Sequence, residues 1–409
     1  MSPIRTSVRQ ADILDERLLD GVLVADFSRV LAGPYATMLL GDLGATVVKV
    51  ESPTGDDTRT WVPPVRPDGV GTYYAAVNRN KRSVVLDLRD DADRDAACEL
   101  AARADVLVEN FRPGGLAKFG LDYDSVAATN PGIVYSSISG FGTAQGAALP
   151  GYDLIVQAMS GLMSLTGDPG GPPYRAGISV FDVMAGLHST IGILAALRHR
   201  DRTGRGQHVE ASLMASAMSG LVNQTMAYVG AGVTPTRMGN AHPSLFPYEA
   251  LATADDDLIV AAGNDAQFRR LAEVLGVPEV ADDPRFAENA GRTARREELR
   301  PLLEERLRTK PATAWFDLLT EAGVPCGPIA SIAQGVEHAA KLGLEPVVDV
   351  GRGERAVPGV RHPLDYSASA PRYEIPPPGL GEHTDEVRAW LAGPRSASLP
   401  SVPDEESAP

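Results

Sequence analysis

Over the first half of the chain, short apolar runs alternate with stretches of helical character. VLVADF at 22–27 is an apolar run of strand length. A loop follows it, and Pro34 at a first-turn position opens the helical stretch YATMLLGDL, which Gly44 ends. ATVVKVE at 45–51 reads as the next strand, and a helical crossover between the two implies parallel pairing. The alternation continues through strand 83–88, helix 92–104, and strands 106–109 and 133–139. A helix from Tyr152 comes next, then a strand over 176–181 feeding a helix over 183–197, and a strand over 207–212. Strands alternating with helices predict an α/β fold with helices on both faces of a sheet. A helical stretch over 213–228 leads away from it.

The texture then changes. Residues 237–335 read as a smaller α+β domain with a strand at 258–262 and helices at 265–275, 294–309 and 311–322. Pro- and Gly-rich text over 357–378 runs to a final helix at 384–391. The division expected is a large domain over 20–222, completed by 336–395, a small domain over 237–335, and a disordered tail over 396–409.

Between Ala176 and Leu197 the only formally charged residue is Asp182. Moving a carboxylate out of water costs several kcal/mol unless something pairs with it. One role for it is a helix N-cap, since Asp there accepts from the free N–H groups of the first turn. Another is a reactive carboxylate at the positive end of a helix, at the mouth of a sheet where α/β folds bind ligands. The two roles are compatible.

The formal charge of −15 argues against a general nucleic-acid binder, and an anionic ligand would need a local basic patch. Cys98 and Cys326 are far apart, which suits a reducing cytoplasm and excludes a disulfide framework. The seven histidines show no metal-ligand spacing, so no metal site is expected. No signal-peptide h-region and no membrane span are expected either. GxxxxGK[ST] is absent, and the glycines at 140, 142 and 146 miss the dinucleotide spacing by one residue. Basic residues do gather after strands: Arg89 beyond strand 83–88, then Asn110, Phe111, Arg112 and Lys118 beyond strand 106–109. Along one crevice they would suit a phosphorylated, adenine-bearing ligand. On composition alone a solvated loop surface is the better account of them.

GVLVADFSRVLAGPYATMLLGDLGATVVKVE, NRNKRSVVLDL, ADVLVENFRPGGLAKFGLDY, PGIVYSSISGFG, GYDLIVQAMSGLM, the Asp182 segment and HRDRTGRGQHVEASL together resemble the class III CoA-transferase family. The resemblance spans about residues 20 to 391 in matching order. It implies a Rossmann-like parallel-sheet large domain, a smaller inserted domain, and an interlocked homodimer. It also implies that Asp182 is the nucleophile and that Val30, Leu31, Leu86, Arg89, Asn110, Phe111 and Lys118 contact CoA. No bound cofactor is implied, because coenzyme A and its acyl esters are substrates. Gly151-Tyr152-Asp153 stands where the racemase branch carries GHD, so transfer is favoured over α-proton exchange. Leu31 replaces the formyl branch's glutamine, and Gly263-Asn264-Asp265 breaks its glycine loop.

The loops GDDTRTWVPP, GTYYAAVNRNKRS, GNAHPSLFPYEAL, AAGNDAQF, GVPCGPI and PPPGLGEHT are similar to those of the succinyl-CoA:glutarate CoA-transferases within that family. This implies CoA transfer from an acyl-CoA such as succinyl-CoA to a small dicarboxylate such as glutarate. The alternatives are an acyl-CoA racemase or epimerase, and a non-catalytic acyl-CoA binder. Residues 263–265 are the expected lid, with Tyr152, His242, Gly263 and Asn264 near the substrate. Arg59, Arg79, Arg175, His242 and Tyr152 are candidates to read a distal carboxylate.

Overall fold

The computed structural model describes residues 17–397 and 399. The chain divides into two compact units. Of the described residues, the first takes those through Ser160, then Ala176–Met226, then those from Glu345; the second takes Gly161–Arg175 and Ala227–Leu344. The polar leader through residue 16, and residues 398 and 400–409 of the expected tail, lie outside the described residues.

The first unit is built on six strands: β1 (Leu23–Asp26), β2 (Thr46–Glu51), β3 (Lys81–Val85), β4 (Val106–Glu109), β5 (Val134–Ser139) and β6 (Gln207–Ser212). All neighbours pair in parallel, in the order β3-β2-β1-β4-β5-β6. Strand order reverses between β1 and β4, and in such sheets the crevice beyond the carboxyl ends at that point is the usual ligand site. One layer of core joins Ala25, Val48, Val84 and Leu107 to Leu100 of the helix Asp91–Arg103 and to Val387 and Leu391 of the final helix, Thr384–Ala392. Elsewhere in this unit α1 (Ala32–Asp42) packs along the long helix Val180–Thr203. Gly186 makes that packing close, since a Cβ there would stand 2.6 Å from the carbonyl oxygen of Ala32. The Val180–Thr203 helix is long and apolar enough to cross a bilayer, yet Phe181, Ala185, Ser189 and Ile193 are buried within this unit.

Several expectations are corrected. No strand occupies 176–181; the helix begins at Val180, which puts Asp182 inside its first turn. Strand β3 begins at Lys81, two residues earlier than the apolar pattern suggests. The buried Lys81 ammonium donates to Asp26 at 3.1 Å, to the Pro34 carbonyl at 2.9 Å and to Asn78 at 3.0 Å, and so a charge fits inside a strand. The helical stretch 213–228 is two helices, Leu213–Gly220 and Val222–Ala231, interrupted where Val222 takes a φ of 40°. At the expected tail, the Trp390 indole donates to the Ala397 carbonyl at 2.7 Å and Leu399 packs on the core.

The second unit carries an antiparallel sheet of β7 (Tyr248–Ala252), β8 (Asp257–Ala261) and β9 (Cys326–Pro328). Its core includes Phe246, Phe268, Leu303 and Trp315. The helix Asp265–Leu275 has the bounds its period predicts, because Phe268, Leu271, Ala272 and Leu275 fall on one face. Back in the first unit, an antiparallel hairpin of β10 (Val347–Val350) and β11 (Val357–Val360) lies in text too rich in Gly and Pro to show strand alternation.

Candidate functional site

Asp182 is the third residue of its helix, and its own carboxylate caps nothing. That work is done by Asp153, the first residue of the helix Asp153–Met159, whose Oδ1 accepts from the backbone N–H groups of Phe181 at 2.8 Å and Asp182 at 3.2 Å. Asp153 is itself held by the Gln157 amide. Gln157 also donates to the Ile178 carbonyl at 3.1 Å and accepts from Ala176 N at 2.8 Å, fixing the approach to the helix. Upstream, Gly140 and Gly151 touch backbone to backbone: a Cβ on Gly140 would lie 2.2 Å from the Gly151 Cα. This neck sets where Asp153 enters.

The consequence is an aspartate with nothing to do structurally. Among the described residues none donates a hydrogen bond to the Asp182 carboxylate. Burial, reinforced by the nearby negative charge of Asp153, pushes its pKa up to about 7. The Tyr73 phenol, hydrogen-bonded to Ser179, lies close enough to feel that charge. The cap role considered for Asp182 therefore passes to Asp153. Asp153, Gln157 and Tyr73 are residues that the sequence reading missed; the signal for Asp153 was the GYD triplet, read only as the loss of a histidine.

The expected CoA positions part company in the structure. Arg112 and Lys118 are exposed beyond the end of β4 and have no carboxylate partner among the described residues. Arg112 and Phe111 line a cavity of about 420 Å³ at the carboxyl ends of β4 and β5, together with Tyr123 and His208. Val30 and Leu31 follow β1 at the point where strand order reverses. Asn110, however, spends its side chain on protein: its Oδ1 accepts from Arg29 N at 3.0 Å and its Nδ2 donates to Arg29 O at 2.7 Å. Arg89 forms a two-pronged pair with its neighbour Asp87, at 2.9 and 2.8 Å, on the surface. Leu86 is buried in the core at 1% exposure, so its side chain packs on protein.

Two candidates for a distal carboxylate are withdrawn. Arg59 grips Glu51 at 2.7 and 2.8 Å, and Arg79 grips Asp42 at 2.6 and 2.9 Å, both as forked pairs. Tyr152 is 65% exposed, immediately ahead of Asp153. Arg175 is exposed and without an ion pair among the described residues.

His242, Gly263 and Asn264 belong to the second unit. His242 Nδ1 accepts from Ser244 N at 3.0 Å, which leaves Nε2 as the protonated nitrogen of the neutral ring. Asn264 caps its helix by accepting from Gln267 N at 2.9 Å, and Asp265 pairs with the buried Arg292 at 2.7 Å. The Gly263 N–H is given to the Ala261 carbonyl at 3.0 Å. The segment expected as a lid is thus anchored at all three residues. No group of three or more His, Cys, Asp or Glu capable of holding a metal occurs among the described residues.

Residues 19–384 match the model of CoA-transferase family III. The chain belongs to that family. It is 45% identical over 386 residues to a succinate–glutarate CoA-transferase of Agrobacterium fabrum, covering 91% of this chain and 95% of that one. To an acetyl-CoA:oxalate CoA-transferase of Acetobacter aceti it is 40% identical, covering 92% and 96%. The crystal structure of a CaiB/BaiF family protein from Brucella suis superposes with a TM-score of 0.82 at 43% identity, covering 91% and 99%. The six-stranded parallel sheet is therefore to be understood as that of a family III CoA-transferase.

Proposed function

We propose that this family III CoA-transferase moves CoA from succinyl-CoA to a small dicarboxylate such as glutarate, with Asp182 as the nucleophile. The carboxylate attacks the thioester carbonyl and expels CoA thiolate, leaving a mixed anhydride. The thiolate then attacks the aspartyl carbonyl, releasing succinate and leaving an aspartyl-CoA thioester. Glutarate attacks that thioester and the same steps run in reverse, returning Asp182 as a carboxylate and releasing glutaryl-CoA. Every bond broken is replaced, and the steps need neither redox change nor metal.

The observation that carries this reading is the freedom of Asp182, whose capping work is done by Asp153. A carboxylate with a pKa near 7 is ionised in useful amount at neutral pH and is a better nucleophile than an ordinary one. Arg112 and Lys118 supply cations for CoA phosphates, and Phe111 an apolar wall. The dicarboxylate follows from the loops in the Sequence analysis and from the relatives, whose names pair CoA with glutarate or oxalate. In the unit that carries Asp182, Tyr152 remains to read its distal group.

A homodimer is part of the proposal. The helix Val222–Ala231 buries none of its residues, and Met226, Tyr228 and Val229 are each more than 60% exposed. The Val180–Thr203 helix leaves Ile191 64% and Leu187 39% exposed. A second copy of the chain would cover such faces, and sedimentation at low concentration tests it. Free thiols at Cys98 and Cys326 agree with a cytoplasmic setting.

Steady-state rates with succinyl-CoA as donor test the acceptor. Glutarate should exceed valerate by about tenfold in kcat/KM, the value of one charge-assisted hydrogen bond to the second carboxylate. Equal values remove the dicarboxylate and leave CoA transfer standing.

A further inference from the structure

Val30 has a φ of 70°, in the left-handed region that a β-branched side chain avoids. Strain of this kind persists only where the surroundings over-determine the backbone. Here they do. Lys49 Nζ donates to the Ser28 carbonyl at 2.9 Å. Asn110 holds both polar groups of Arg29. The Val30 N–H meets the Asp56 carboxylate at 3.2 and 3.3 Å. Three successive residues after β1 are gripped by side chains that come from β2, from the turn beyond β2, and from the end of β4.

Asp56 is the centre of this arrangement. It also accepts from Lys49 Nζ at 2.9 Å, from Thr58 N at 3.0 Å and from Thr58 Oγ1 at 2.7 Å. The Asp56 and Lys49 side chains are 1% and 0% exposed, so the pair is a costly thing to bury for stability alone. Immediately beyond Val30, Leu31 stands at the N-cap of α1 without a side-chain cap. The buried N–H groups of Ala32 and Gly33 have no acceptor among the described residues, at the point where strand order reverses.

We infer that Asp56, held by Lys49, is a positioning residue: it locks Val30 in the left-handed conformation and so places residues 30–32 for the acyl-CoA. The inference rests on the proposed function, in which this loop meets CoA. Asparagine at position 56 would have to turn either its oxygen or its NH2 toward the Lys49 ammonium. With the oxygen on Lys49, the Val30 N–H keeps its 3.2 Å acceptor but loses the 3.3 Å one, and the NH2 faces the Thr58 N–H, so the side chain is displaced and the lock weakens. Glycine at position 30 would take the same φ freely and would make the lock redundant.

The test is a double-mutant cycle on the full chain. Asp56→Asn is made alone and together with Val30→Gly, and kcat, KM for succinyl-CoA and the dissociation constant for CoA are measured in each. Asp56→Asn should lower kcat/KM by about tenfold in the wild-type background and by less than about threefold in the Val30→Gly background. Asp56→Glu, which keeps the charge but displaces the oxygens, should show the same dependence on background and serves if Asp56→Asn does not fold. Equal losses in both backgrounds, or wild-type kinetics in a folded Asp56→Asn protein, overturn the inference. If the wild type binds CoA without transferring it, the proposed function fails while the CoA dissociation constants still complete the cycle. If it binds no CoA, both fall.

Discussion

The two edges of the six-stranded sheet are both rich in cations, and they use them in opposite ways. At the amino edge lies the larger cavity, about 880 Å³, ringed with arginines that already have partners. Arg17 holds Glu374, Arg355 holds Glu382, and Arg103 and Arg395 share Glu99. Arg103 also donates to the carbonyls of Trp390, Leu391 and Gly393, closing the end of the final helix. At the carboxyl edge Val30 is strained, and among the described residues Arg112 and Lys118 have no carboxylate partner and the Asp182 carboxylate no hydrogen-bond donor. Cavity size alone would choose the amino edge. The proposed function instead takes the carboxyl edge, where cations stand without carboxylate partners among the described residues and a carboxylate is buried with a raised pKa.

The largest effect that could break this comparison is at Asp182. Asp182→Ala should lower transfer by at least about a thousandfold while far-UV circular dichroism and CoA binding persist, since the nucleophile is lost and the cap on Asp153 is not. Turnover within tenfold of wild type would show that the free carboxylate is not the reacting group.

At the same edge, Arg112→Ala with Lys118→Ala should raise the KM for succinyl-CoA by about tenfold or more, with less effect on kcat. At the opposite edge Arg103→Ala should leave kcat and KM within about twofold and cost about 2 kcal/mol of stability in urea, because three carbonyls lose their donor. A reversal of these two outcomes would exchange the roles assigned to the edges.

A smaller effect sharpens the view of Asp182 as a group placed at the expense of stability. Its pKa is about 7 in the fold against 3.8 for the free side chain, so the folded state holds the proton more tightly than the unfolded one. Stability therefore falls as pH rises from about 4 to 7 and stays reduced above, whereas below pH 4 both states are protonated and nothing is lost. Asp182→Asn should accordingly stabilise the chain by about 1–3 kcal/mol at pH 8 and by almost nothing at pH 4, in melts at the two pH values. The acid limb of kcat/KM should fall near pH 7 for the same reason, and Asp153→Asn should move it lower by removing the negative charge that raises it.

The inner strands were legible because they are buried on both faces and read as apolar runs, as at Val106–Val108. What escaped was set by partners distant in sequence. Lys81 enters β3 because Asp26, 55 residues earlier, receives its charge. Asp182 was found by being the lone charge in an apolar stretch, yet its position within the helix was misread because the cap comes from Asp153, 29 residues away. Asn110, Arg59 and Arg79 looked available for ligands; nothing local shows that Arg29, Glu51 and Asp42 have claimed them. The clamp on Val30 has no local signature either, since Lys49 sits within the strand ATVVKVE and Asp56 in the loop after it, with nothing nearby in sequence to join them to Val30.

The central claim is that the free carboxylate of Asp182 becomes acylated during transfer. Incubation of the enzyme with succinyl-CoA and no acceptor, quenched with hydroxylamine and followed by peptide mass mapping, reads that directly. The account predicts a hydroxamate at Asp182 that is absent without succinyl-CoA. An unmodified Asp182 peptide, in enzyme that transfers CoA to glutarate under the same conditions, would contradict it.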